Sequence, residues 1–138
     1  METNELIEAI CALLPRGHDR GGRRRGEDGA SSGAALELLY RAGEISPGEL
    51  ARALDVSGPR VTALLAELER RNFVTRCAAD GDRRSHRAAL TPEGRRFVEE
   101  KRAARRAHVA AVIDAVGRED GEAWLRILRA ERALEKNR

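Results

Sequence analysis

Aromatic side chains are nearly absent from this 138-residue chain: two Phe, one Tyr and one Trp amount to 3% of it. Charged residues reach 36%, while Leu, Ala, Val and Ile recur in clusters, the balance of a charged surface over an aliphatic core that marks helix-rich proteins. Cysteine is scarce as well. Cys11 and Cys77 are too few and too far apart for a disulfide framework or a Cys-x-x-Cys metal spacing, which fits a reducing compartment. His18, His86 and His108 fall in three different segments and share no ligand spacing with either cysteine, so neither a metal site nor a cofactor is expected. No apolar run approaches the ~18 residues needed to span a bilayer, and the start, Met-Glu-Thr-Asn-Glu, lacks a basic leader region. The expectation is a soluble, cytoplasmic protein with no membrane partner. Paired carboxylates, a nucleophile beside a base and a phosphate-cradling loop are also missing, so an enzyme is not expected.

What is present is length for one domain and a basic charge that is unevenly spread. The net charge is only +3, yet the pI is about 9.4, and many arginines lie in the first two thirds of the chain, among them Arg23-Arg24-Arg25. Thr3 offers a cap to a first helix with Ile7, Ile10, Cys11 and Leu14 on one stripe, and Pro15 closes it. Residues 16–33 are rich in Gly and Arg with no large apolar side chain, and are expected to form a mobile basic loop, either a DNA-contacting arm or a solvated linker. Ser32 then offers a cap to a helix carrying Leu36, Leu39 and Tyr40, which Gly43 ends, and Ile45 fits a very short strand.

The middle of the chain carries the strongest signals. Ser46-Pro47-Gly48-Glu49 is a capping box with proline at the first helical position, predicting a short helix to about Leu54. After the turn Asp55-Val56-Ser57, Ser57 caps a helix whose Val61, Leu64, Leu65 and Leu68 give the cleanest apolar stripe in the sequence, ended by Asn72 in a left-handed conformation. Two β-prone runs, Phe73 to Cys77 and His86 to Leu90, flank the turn signal Asp80-Gly81 and predict a hairpin. Thr91-Pro92 restarts helix, carried by Phe97, Val109, Val112, Ile113 and Val116 to Gly117. A last helix from about Glu119 presents Trp124, Ile127, Leu128 and Leu134.

Helix, short turn, helix and hairpin is the order of a recognition helix with a wing beside it. The expected DNA-facing side of the second helix holds Pro59, Thr62, Ala63 and Arg70, flanked by Arg60, whose guanidinium suits a guanine edge. Ser57 and Thr62 hydroxyls, at a positively polarised helix N-terminus, suit phosphates or bases. On the hairpin, Arg83 and Arg84 at the tip and His86 and Arg87 at the base suit a minor groove, with Asp82 holding one arginine in place.

These residues resemble the MarR family of bacterial regulators, which share a wing pattern of Asp-x-Arg followed six residues later by Leu-Thr, here Asp82, Arg84, Leu90 and Thr91. The run from Leu50 to Ser57, Val61-Thr62, and Leu68-Glu69-Arg70-Arg71 resemble that family's first helix, turn and recognition helix. The resemblance is close from Ser46 to Gly94 and looser outside; Gly58 and Ala63 stand where the family often has polar or basic residues. It implies a homodimer whose terminal helices interlock and a DNA complex released by a small, often phenolic, ligand or an oxidant. It also gives Cys11 a second reading as a sensing thiol beside that of a buried small hydrophobe, while Tyr40 and Trp124 suit either an effector pocket or the core and dimer interface.

The expected architecture is thus mainly α with a small β-hairpin wing, in one MarR-like domain. A winged helix-turn-helix of about 32–91 is flanked by dimerisation helices of about 3–14 and 92–136. Its expected partners are double-stranded DNA, a second copy and a small-molecule effector, and repression is the family's usual mode. The competing reading is a winged-helix protein-interaction module that binds DNA only non-specifically.

Overall fold

The structure, a computed structural model, describes residues 1–14, 28–78 and 86–137, with backbone alone at 28–31 and 78. In chain order the elements are α1 (Thr3–Leu13), α2 (Asp28–Ala42), β1 (Glu44–Ile45), α3 (Pro47–Leu54), α4 (Gly58–Arg70), β2 (Val74–Ala78), β3 (His86–Leu90), α5 (Pro92–Val116) and α6 (Arg118–Lys136). The chain divides into two compact units, Met1–Pro15 with Glu100–Arg138, and Arg16–Glu99.

In the unit of residues 16–99, local signals set the element limits. Ser46 accepts a hydrogen bond from the Glu49 amide at 3.1 Å and Ser57 one from the Arg60 amide at 3.3 Å, so both serines satisfy a first-turn N–H that helix geometry leaves without a partner. Gly43 takes φ 81° after α2 and Asn72 takes φ 64° after α4, the left-handed conformation in which a helix commonly terminates. The three strands form an antiparallel sheet in the order β1-β3-β2, with Ile45 opposite Ala88 and Val74 opposite Leu90. Leu36, Leu39, Leu50, Val61, Leu65, Leu68, Val74, Ala88 and Val98 meet in one core, and Phe73 stacks on Phe97 with centroids 4.6 Å apart.

The joint between hairpin and α5 is built from Thr91. Its hydroxyl donates to the Asn72 carbonyl at 2.6 Å and accepts from the Gly94 amide at 3.0 Å, while the Asn72 side chain donates to Glu93 at 2.8 Å. Gly94 is required here, because a Cβ at that position would stand 2.1 Å from the Phe73 carbonyl oxygen. Any side chain would push the first turn of α5 off the strand.

In the unit of residues 1–15 and 100–138, α1, the later turns of α5 and α6 bury Leu6, Ile7, Ile10, Val109, Ile113, Leu125 and Leu128 together. Arg105 supplies the basic end that α1 lacks: it donates to the carbonyls of Cys11 at 3.5 Å and Leu14 at 3.3 Å. Arg106 meets the Glu8 carboxylate and donates to the Asn4 side chain at 3.3 Å, so two adjacent arginines hold α1 against α5.

Three sequence expectations are corrected. The basic loop of 16–33 is helical from Asp28 onward, and Ser32 lies inside α2 instead of capping it; Ala30, Ala34 and Ala35 favour helix strongly enough to outweigh Gly29 and Gly33. The rest of that loop, 16–27, lies outside the described residues, as does Pro15. Thr3 is the first helical residue and not the cap, which is Glu2 without a side-chain bond; the start one residue earlier gains the Leu6 amide to Glu2 carbonyl bond at 3.0 Å, at the fully buried Leu6. The buried face of α1 is accordingly Leu6, Ile7 and Ile10, with Cys11 and Leu14 only half-buried. Leu14 itself is extended, with ψ 132°, as a residue before proline must be.

Candidate nucleic-acid interface

The turn between α3 and α4 is made by Asp55, at φ 55°, whose amide bonds back to the Ala51 and Arg52 carbonyls, and by Val56, whose amide reaches Ala51 at 3.1 Å. A left-handed residue is costly for most side chains and tolerable for Asp, so the reversal is compact. Val56 packs on the core beneath it. Ser57 then opens α4.

Burial divides α4 cleanly. Val61, Leu64, Leu65 and Leu68 are buried, while Pro59, Thr62, Ala63, Ala66 and Arg70 are exposed. Ser57 is exposed with its hydroxyl committed to the cap, and Arg60 is half-buried and held by a contact of its own. The Thr62 hydroxyl donates to the Gly58 carbonyl at 3.1 Å. Arg70 is ion-paired to Glu67 along the helix, and Glu69 pairs with Arg76 on β2, so both acidic residues of α4 are occupied and the second pair braces helix to hairpin. The exposed face of α4 between Pro59 and Ala66 is therefore small and uncharged, with cations at its margins.

In the hairpin, Ala78 pairs with His86 and Cys77 with Arg87. His86 is exposed at the start of β3, and Arg87 lies 3.8 Å from the Glu44 carboxylate across the sheet. Asp80-Gly81 and the tip residues Asp82, Arg83 and Arg84 lie outside the described residues.

The suggested effector residues are divided between the two units. Tyr40 belongs to the unit of 16–99, half-buried, with the Arg95 guanidinium 5.3 Å from its ring centroid. Trp124 and Cys11 belong to the other unit, each half-buried against its core. Burial pushes the Cys11 thiol up from its ordinary value, with the Arg105 cation opposing, which disfavours the thiolate that an oxidant would attack. A groove in that unit is lined by Leu13, Arg129, Arg132, Ala133 and Lys136, and neither Cys11 nor Trp124 borders it. Among the described residues no cluster of His, Cys, Asp or Glu could hold a metal, and no helix is long and apolar enough to cross a membrane.

Sequence reasoning missed Arg105, Arg76 and the Asn72–Glu93 bond. Arg105 and Arg76 act on partners far along the chain or in another element, where no local pattern marks them. Gly94 had a usable signal, since a glycine three residues after a capping threonine is otherwise poor helix material.

Helix, turn, helix and antiparallel hairpin on one core define a winged helix-turn-helix protein. A MarR family model matches residues 31–85, the stretch that holds α3, α4 and the start of the hairpin. Solved structures with this fold include the transcriptional regulator Tm0710 from Thermotoga maritima, 28% identical over 78% of this chain and 75% of that one, with a TM-score of 0.58. Streptococcus pneumoniae FabT in complex with DNA is 23% identical over 98% and 90% of the two chains, with a TM-score of 0.66. MepR, a transcription regulator of the Staphylococcus aureus multidrug efflux pump MepA, is 20% identical over 99% and 93%, with a TM-score of 0.63. The likeness to the latter two is one of fold. No curated protein sequence matches the chain.

Proposed function

We propose that the chain is a cytoplasmic, sequence-specific double-stranded-DNA-binding regulator of the MarR type, acting as a homodimer and repressing from a roughly palindromic operator. The observation that carries this reading is α4: a helix with a capped, positively polarised N-terminus, an apolar face sealed into the core and an uncharged outer face of small residues free to approach a groove. The FabT structure, a complex with DNA, supports the same use of the fold. In this reading α4 enters the major groove, with Arg60, Thr62, Ala63 and Pro59 toward base edges and Ser57 and Arg70 toward the backbone. His86 and Arg87, with Asp82, Arg83 and Arg84 at the tip, form the wing along the neighbouring minor groove. Helices α1, α5 and α6 pair two copies, setting the recognition helices ~34 Å apart, one turn of duplex. Release by a small ligand or an oxidant completes the proposed regulatory cycle.

Footprinting the protein on the DNA upstream of its own gene tests this. A protected palindrome is the expected result. Arg60→Ala should then lose ~1 to 3 kcal/mol on that site and little on random duplex. Arg84→Ala should weaken operator binding while the dimer, followed by sizing chromatography, stays intact. Uniform loss on all sequences would remove Arg60 from the base-reading set, and full binding by the Arg84 variant would remove the wing.

A further inference from the structure

The Thr62 side chain, exposed on α4, has part of its polar capacity spent within the helix. Its hydroxyl proton goes to the Gly58 carbonyl, one turn back, at 3.1 Å. A threonine hydroxyl has one proton to give and two lone pairs. With the proton committed, what Thr62 offers outward is an acceptor oxygen and a γ-methyl group. The same bond holds χ1 in one state, so the methyl keeps a fixed direction. On either side, Pro59, Ala63 and Ala66 are exposed and short, so nothing on this face holds a surface opposite it away from Thr62. Arg70, the cation on the same face, is paired with Glu67.

We propose that Thr62 determines specificity for a thymine·adenine pair, by contact of its γ-methyl with the thymine C5-methyl and by acceptance of a hydrogen bond from the adenine amino group; this rests on α4 being the recognition helix. The chemistry selects that pair. In the major groove a thymine·adenine pair presents a methyl group and an N6 donor, which match a methyl and an acceptor. Guanine presents two acceptors, O6 and N7, which a hydroxyl without a free proton cannot satisfy. Cytosine has an amino donor but no methyl.

The test starts from duplexes selected by the wild-type protein out of a randomised pool, followed by replacement of each thymine, one at a time, with uracil, which removes only the C5-methyl. Wild type should bind about fourfold more weakly when the contacted thymine is replaced, the effect of one buried methyl group. Thr62→Ser keeps the hydroxyl and loses the methyl, so it should show that loss on the thymine duplex and no further loss on the uracil duplex. Wild-type binding that is indifferent to uracil at every position, or a serine variant that loses the same factor again, overturns the assignment to Thr62 alone. A protein that enriches no duplex from the pool overturns the DNA-binding reading with it.

Discussion

The two compact units differ in how completely they cover their own apolar residues. Among the described residues the exposed large hydrophobics are Met1, Val116, Ile127 and Leu134, with 48% to 68% of their surface open, and all four fall in the unit of residues 1–15 and 100–138. The winged-helix unit has none among its described residues, although it is built from the same aliphatic alphabet. One unit thus closes its core within a single chain. The other leaves apolar surface that costs about 25 cal/mol for each Å² kept in water, surface that the proposed second copy would cover. The units should therefore fail in different ways.

The sharpest contrast comes from core truncation. Leu65→Ala removes a fully buried side chain from the winged-helix core and should cost ~3 kcal/mol in denaturant unfolding, at any protein concentration. Ile127→Asp, on the exposed stripe of α6, should instead spare the fold, seen by circular dichroism, and weaken self-association roughly tenfold or more in sedimentation. A variant that stayed equally associated would detach the exposed stripe from dimer formation. Ser57→Ala, which removes the α4 cap, should cost about 1 kcal/mol of stability, visible as a lower unfolding midpoint with an unchanged slope. The smallest effect is expected at Cys11. Its thiol, raised by burial, should be alkylated more slowly at neutral pH than an unhindered cysteine, with the reaction rising only as pH passes the elevated value. Arg105→Gln should move that rise to still higher pH by removing the opposing cation. Peroxide that released DNA from wild type but not from Cys11→Ala would contradict a purely packing role.

Legibility followed the same division. In the winged-helix unit the short-range signals were sufficient for α3, α4 and the hairpin, though not for α2: Ser46 and Ser57 start α3 and α4, Asn72 follows the end of α4, and His86–Leu90 is the strand that its β-prone run implied. Each of those signals acts over a few residues, so a single sequence carries it. The start of α2 was hidden because glycines argue for loop while the intervening alanines argue for helix. In α6 the apolar residues lie on two adjoining stripes. Periodicity picked out Trp124, Ile127, Leu128 and Leu134, whereas the structure buries Gly121, Leu125 and Leu128 and leaves Ile127 and Leu134 open. Which stripe faces inward depends on α1 and α5, a long-range fact. The candidate site was legible on α4 for the same local reasons, while the commitment of the Thr62 hydroxyl, of Arg70 and of Glu69 required side-chain geometry that spacing does not determine.

The central claim is tested most directly by competition binding at fixed salt between the duplex upstream of the chain's own gene and random duplex of equal length. The account predicts a preference of ~10³ or more for the upstream site, with affinity for both falling steeply as salt rises. Equal affinity for the two duplexes would contradict it, and would leave the winged helix as a surface for protein partners.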